Sequence, residues 1–188
     1  MMGTLALDPA VALVLQAGAA LLWLSVSFHK LRDLRAFEQA LVGYALLPRA
    51  AVATLARVLP GLELLVGLGC LAPPTARFAL LAGAMLLTLY TSAVVLNLAR
   101  GRRRVDCGCG GPGGPQELSE GLVVRNLAVV GLLLVAALPV GGRALHWIDV
   151  FTVVAGVGWL ALVYAGVDVA LATAARDRRE GGPAWSRR

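Results

Sequence analysis

The sequence predicts an all-α fold, a polytopic membrane helical bundle of about five transmembrane helices plus one interfacial helix. Three observations predict it. Of 188 residues, 59% are hydrophobic and only 15% charged, a composition far from that of a soluble globule. Nearly uncharged runs of about 20 residues, enough to cross the hydrocarbon, recur along the chain. Basic residues collect in alternate connections between those runs, as topology demands.

The first run, 9–28, follows an N-terminus without Lys or Arg and is longer than a signal-peptide core, so it is kept as a membrane span. The segment 34–48, LRAFEQALVGYALLP, is too short to cross. Phe37, Leu41, Tyr44 and Leu47 or Pro48 recur at helical spacing, which predicts a helix lying at the membrane surface. Further spans are expected at 51–72, 76–99, 121–140 and 148–174. The polar connection 100–120 is rich in Gly, Pro and Arg, and 175–188 reads as a basic, disordered tail resting on anionic lipid. Residues 1–174 make a single transmembrane domain with no evident internal repeat.

Lys30, Arg32, Arg35 and Arg49 fall after the first span, Arg100 and Arg102 to Arg104 after the third, and Arg176, Arg178, Arg179, Arg187 and Arg188 after the last. The opposite face holds only Arg77 and Arg143. The positive-inside rule then places the N-terminus outside and the C-terminus in the cytoplasm. The net charge of +6 is accounted for by topology, and no nucleic-acid partner is expected; the partner that composition names is the lipid bilayer.

The motif GRRRVDCGCGGPGG, residues 101–114, carries two of the three cysteines, Cys107 and Cys109. Gly108, Gly110 and Gly111 permit the positive backbone angles of a tight closure. A disulfide across one residue would be strained and easily reduced, which suits a redox-active pair. Arg102 to Arg104 favour a thiolate and Asp106 opposes it. Two idle thiols, or a metal site completed by Asp106 or His29, are the competing readings; zinc wants four ligands and the loop offers two thiolates, so no metal is assigned. Cys70, at the far end of the second span, is expected to pack, out of reach of the motif.

Ionisable groups inside the spans are costly and face the bundle interior. They are Arg57, Glu63, Arg125 and Asp168, with Asn97 and Asn126 as neutral companions. Glu63, near the middle of its span, must be protonated, paired or facing water. Arg125 and Asp168 lie at similar depths, which allows an ion pair, and with Asn97 and Asn126 they sit beneath the cysteine loop. Helix–helix hydrogen bonding is the plainer role for the same groups. His29 and His146 sit at span ends, where solvated or lipid-facing positions are the ordinary outcome.

The strings FHKLRDLRAFEQALVGYALLP, PGLELLVGLGCL, LNLARGRRRVDCGCGG and LSEGLVVRNLAV together resemble the MauE family of methylamine-utilisation membrane proteins, related to the DoxX-like helical bundles. The resemblance spans roughly residues 10–174 and is most specific at Asp106 to Gly111 followed by Arg125-Asn126. It implies a multi-pass protein of the bacterial inner membrane that supports maturation of an exported client, such as the disulfide-rich small subunit of methylamine dehydrogenase, alongside a thioredoxin-like partner. The matching positions are Lys30, Glu63, Asn97, Asp106, Cys107, Cys109, Arg125 and Asn126. On this reading Cys107 and Cys109 carry thiol–disulfide exchange, Arg125, Asn126 and Asp168 seat the loop, and Glu63 is an intramembrane polar or proton-handling group. No resident cofactor is required; a quinone or thioredoxin-derived thiols would supply electrons. Whether the chain is itself an oxidoreductase component stays open.

The client matures outside, whereas the charge count puts the cysteines inside. Either electrons enter from cytoplasmic thiols and cross through a carrier, or the topology is inverted or a span miscounted. Cytosolic thiols are normally held reduced, which favours the first. A non-enzymatic scaffold for the thioredoxin-like partner and its client is the alternative. A small-solute or metal transporter using Glu63 and Asp168 lacks the inverted repeat that such folds carry.

Overall fold

In the computed structural model, which describes residues 6–108 and 116–180, every regular element is a helix. They are α1 (Pro9–Arg32), α2 (Leu34–Tyr44), α3 (Arg49–Leu71), α4 (Pro73–Ala99), α5 (Glu120–Ala136) and α6 (Trp147–Glu180). Of these, α1, α3, α4 and α6 are long and apolar enough to cross a membrane. The fourth expected span, 121–140, is α5, which has 17 residues and rises only about 25 Å, ending before Pro139 where a longer run was expected. The chain is a multi-pass membrane protein.

Local chemistry sets the boundaries. Asp8 accepts from the Ala10 N–H, and Pro9 at the first helical position starts α1 with its φ already helical. Asp33 separates α1 from α2 and caps the latter through the Ala36 N–H at 2.9 Å. At the end of α2, Ala45 takes a left-handed φ of 48°, turning the chain up into α3. Pro73 and Pro74 break α3 from α4, and Ser119 caps α5.

Three boundaries depart from expectation. The first helix runs four residues past 28, to Arg32, so Lys30 is a helical, buried residue and not a charge in the connecting loop. Its place follows from spacing: Trp23, Ser27 and Lys30 fall on one face and all are buried. The last helix continues past 174 to Glu180, so the expected tail begins within it; residues 181–188 lie outside the described set. The surface helix ends at Tyr44 and is held inward by Phe37, Ala40 and Tyr44.

α3 shows how the core is built. Its buried residues Val52, Ala56, Pro60, Glu63, Gly67 and Cys70 recur every three or four positions, one stripe of a helix facing its neighbours. Small residues on that stripe let backbones approach. A Cβ on Gly67 would stand 3.1 Å from the Leu24 backbone nitrogen and 2.8 Å from its side chain. Cys70 packs, as expected, with Ala19, Ala20, Trp23, Leu80 and Ala84. The large apolar side chains left exposed, among them Leu65, Phe78, Met85, Phe151 and Leu162, form the lipid-facing surface.

The end of the bundle opposite the cysteine loop is closed by Arg143. Its guanidinium donates to Asp8 (2.6 and 2.9 Å) and to Asp149 (both 2.8 Å), while Leu7 and Val140 form a short parallel bridge. Arg143 holds the Asp8 carboxyl below its ordinary value of 3.8. A depressed carboxylate contributes stability in full above the unfolded value and loses it as pH falls through the folded one. Arg143→Gln should therefore lower the melting temperature at neutral pH, and the gap to wild type should narrow as pH drops below 3.8; melting curves across pH in detergent check this. Gly67→Ala should cost about 1–3 kcal/mol by prying α1 from α3. Gly61→Ala, with nothing within 4 Å of the added Cβ, should be neutral or stabilising by up to about 1 kcal/mol.

Candidate functional site

The site is a polar core inside the bundle with the cysteine loop seated on it. Its first half is an ion pair between Lys30 of α1 and Glu63 of α3, respectively 5% and 0% exposed. The Lys30 ammonium also lies over two rings, 4.6 Å from the centroid of Phe37 and 4.7 Å from that of Tyr90. The Tyr90 hydroxyl donates to Glu63 Oε1 at 2.8 Å, and Ser27 Oγ donates to the Pro60 carbonyl at 2.8 Å. Lys30 of α1 and Tyr90 of α4 thus converge on the Glu63 carboxylate of α3, with Phe37 of α2 over the ammonium. Of the three states open to Glu63, the structure selects pairing.

The second half is the Arg125–Asp168 ion pair between α5 and α6, which the matched depths allowed. Asn126 Oδ1 accepts from Arg125 Nη2 at 3.1 Å, and the guanidinium carbon lies 5.2 Å from the Tyr164 ring centroid. A water-sized void of about 30 Å³ is lined by Lys30 and Tyr90 from the first half and by Arg125, Asn126 and Tyr164 from the second. Asn97 is fully buried; its amide donates to the Ala93 carbonyl, and its side-chain oxygen has no hydrogen-bond partner among the described residues. Arg57, by contrast, is exposed, as a long side chain reaching for the interface would be.

The motif loop closes over this core. Cys107 N–H donates to the Gln116 carbonyl at 2.8 Å and Leu118 N–H to the Val105 carbonyl at 3.2 Å, with an antiparallel bridge between Asp106 and Glu117. Asp106 Oδ1 accepts from the Gly108 N–H at 2.7 Å, fixing the turn at which Gly108 has a φ of 70°. Gly108 is required twice over, because a Cβ there would also press on Ala40 at 3.2 Å and Phe37 at 3.4 Å. Two longer ties fasten the loop to the bundle. Tyr44 Oη donates to the Cys107 carbonyl at 3.1 Å, and Gln116 Nε2 donates to the Asp168 backbone carbonyl at 2.8 Å.

Cys107 is 9% exposed and packs in an apolar cluster with Tyr44, Val94, Leu118 and Leu122. The arginine block is largely committed elsewhere. Arg102 donates to the Tyr44 carbonyl at 3.1 Å, and Arg103 forms a bidentate pair with Glu120 at 2.9 and 2.5 Å. Arg103 is neutralised by Glu120, whereas Arg102, on a neutral carbonyl, and Arg104 keep the charge of the expected electropositive setting. Cys109 lies outside the described residues. Tyr44, Tyr90, Phe37 and Gln116 were not singled out as site residues from sequence; of these only Tyr44 and Phe37 carried a signal, as members of the inward stripe of α2.

A sequence model described as methylamine utilisation protein MauE matches residues 8–139. The MauE protein of Paracoccus denitrificans is 36% identical over 131 residues, 70% of each chain. That of Methylophilus methylotrophus is 33% identical over 164 residues, 86% of each. That of Methylorubrum extorquens is 36% identical over 139 residues, 73% of this chain and 75% of the relative. No solved structure matches.

Removing one member of a buried ion pair leaves an uncompensated charge, whereas removing both need not. Lys30→Met should therefore cost about 3–5 kcal/mol and lower the amount of folded protein in the membrane. The double variant Lys30→Met, Glu63→Leu should recover most of that loss. Thermal unfolding in detergent, with membrane abundance as a parallel readout, checks the pair.

Proposed function

The chain belongs to the methylamine utilisation protein MauE family, and from that premise we propose that it serves methylamine utilisation by supporting redox maturation of an exported protein. The client class is a disulfide-rich periplasmic subunit such as the small subunit of methylamine dehydrogenase. The membrane is the bacterial inner membrane, with the loop end of the bundle in the cytoplasm and the Arg143 end outside. The arginines that flank the loop end, Arg32, Arg35, Arg49 and Arg100, support this orientation even with Lys30 withdrawn from the count.

The observation that carries the redox reading is the investment of the bundle in one short loop: a hydroxyl from α2, a main-chain carbonyl of α6 and a two-stranded closure hold the Cys107 segment. In the proposed step the cytoplasmic Cys107–Cys109 dithiol reduces a disulfide of a membrane carrier partner, which passes the electrons outward to the thioredoxin-like protein. A new S–S bond forms on this chain as the partner's breaks, and the two thiol protons pass to the partner's sulfurs. The resulting disulfide is reset by cytoplasmic thiols or a quinol. The burial of Cys107 favours a second reading, in which the loop is a docking scaffold for the thioredoxin-like partner and its client and performs no exchange.

Cys107→Ser and Cys109→Ser separate the two. The redox reading expects each to reduce mature client at least tenfold while membrane abundance of the variant stays normal, read by client activity and immunoblot. Normal maturation in both variants, with partner co-purification intact, establishes the scaffold.

A further inference from the structure

Two cavities of different character meet at His29. One is an apolar groove of about 290 Å³ between α1, α5 and α6, lined by Gly18, Leu132 and Ala161 among others, with Ser25, His29 and Tyr164 as its polar members. It exists because α6 lies chiefly along α1 and touches α5 only lightly, leaving a slot that opens to hydrocarbon. The other is a cavity of about 630 Å³ between the end of α1, α2 and the motif loop, lined by His29, Lys30, Asp33, Arg102, Arg104 and Asp106.

The charges of the polar cavity are not equally available. Lys30 is matched by Glu63. Asp33 accepts from the Ala36 N–H and Asp106 from the Gly108 N–H, and Arg102 donates to the Tyr44 carbonyl. Arg104 and the His29 ring have no hydrogen bond or ion pair among the described residues. Asp33 and Asp106 keep their charge against Arg102 and Arg104, and the two groups without a partner among the described residues, Arg104 and His29, are both able to donate to an anion. Arg32 and Arg35 are exposed beside the cavity, with Asp33 and Glu38 as the acids on the same stretch.

An apolar slot that opens to lipid and adjoins, at His29, a polar cavity holding the Arg104 guanidinium suits a phosphate-bearing amphiphile, with its chain in the slot and its headgroup in the cavity. We propose that this chain binds an anionic phospholipid, with an acyl chain in the α1–α5–α6 groove and the phosphate at His29 and Arg104. Guanidinium suits phosphate through paired N–H donors, and basic pockets between helices at the cytoplasmic face are where anionic headgroups bind. A free phosphate shares the headgroup chemistry but makes no use of the groove. The site stands independently of the redox reading.

The test uses the full chain in neutral detergent and follows its melting temperature with dioleoyl phosphatidylglycerol, dioleoyl phosphatidylcholine, inorganic phosphate or ubiquinone. Phosphatidylglycerol should stabilise at about tenfold lower concentration than phosphatidylcholine, and inorganic phosphate should have no effect. The double variant His29→Gln, Arg104→Gln should abolish the preference. Ala161→Phe, which fills the groove, should weaken the response to phosphatidylglycerol. Native mass spectrometry of the unaltered chain, expected to retain phosphatidylglycerol through delipidation, gives a readout that no folding defect in a variant can confuse. Equal response to the two phospholipids, a shift reproduced by phosphate alone, a stronger response to ubiquinone, or an undiminished response in Ala161→Phe would each overturn the proposal.

Discussion

A charge buried within a bilayer must find its partner inside the protein, and this bundle is organised by that constraint. Lys30 and Glu63 join α1 to α3; Arg125 and Asp168 join α5 to α6. Both pairs are almost entirely removed from solvent, where desolvation costs several kcal/mol per ion and only close pairing with added hydrogen bonds offsets it. The added bonds are present: Tyr90 on Glu63, Asn126 on Arg125, and aromatic faces over both cations. The second pair matters most where packing is thinnest. α6 rests mainly on α1, so Arg125–Asp168 is the specific tie that sets its rotation against α5.

The loop inherits its position from those pairs. Gln116 reaches the main chain of Asp168, the residue whose side chain holds Arg125. Tyr44, on the helix whose Phe37 lies over Lys30, reaches the main chain of Cys107. One end of the segment is thus tied directly to a residue of a buried ion pair, and the other to the helix that covers the second pair's cation. Disturbing either pair should be felt at the loop through a helix rotation, because interfaces packed by small residues such as Gly67 and Gly83 have little slack.

The helical architecture was legible in the sequence because hydrocarbon permits so few alternatives: long apolar runs must be helices. The Arg125–Asp168 pair was legible from depth, since both residues sit near the same end of their spans. Lys30 was not, because a cation at the edge of an apolar run satisfies the positive-inside pattern and so reads as a loop charge. The 3.6-residue period would have found it, as Trp23, Ser27 and Lys30 share a face with the stripe that meets Pro60 and Glu63. Gln116 had no sequence signal, and Tyr44 had only its place on the inward stripe of α2; both act on main-chain carbonyls, which every residue has. The arginine block was legible as charge, whereas its acceptors, the Tyr44 carbonyl and Glu120, are set by tertiary placement that composition does not record.

The burial of Cys107 constrains any exchange chemistry at this loop. A sulfur packed among Tyr44, Val94, Leu118 and Leu122 is out of a partner's reach, so the proposed exchange requires it to leave that cluster. The motions that free it must break the Tyr44 and Gln116 contacts to Cys107, each worth about 1 kcal/mol, and re-expose a small apolar cluster. That total is within reach of a docking partner and well above thermal energy. Under the proposed exchange, the geometry that hides the thiol makes its reaction conditional on engagement of the loop, whose turn against α2 is set by Gly108 at a φ of 70°.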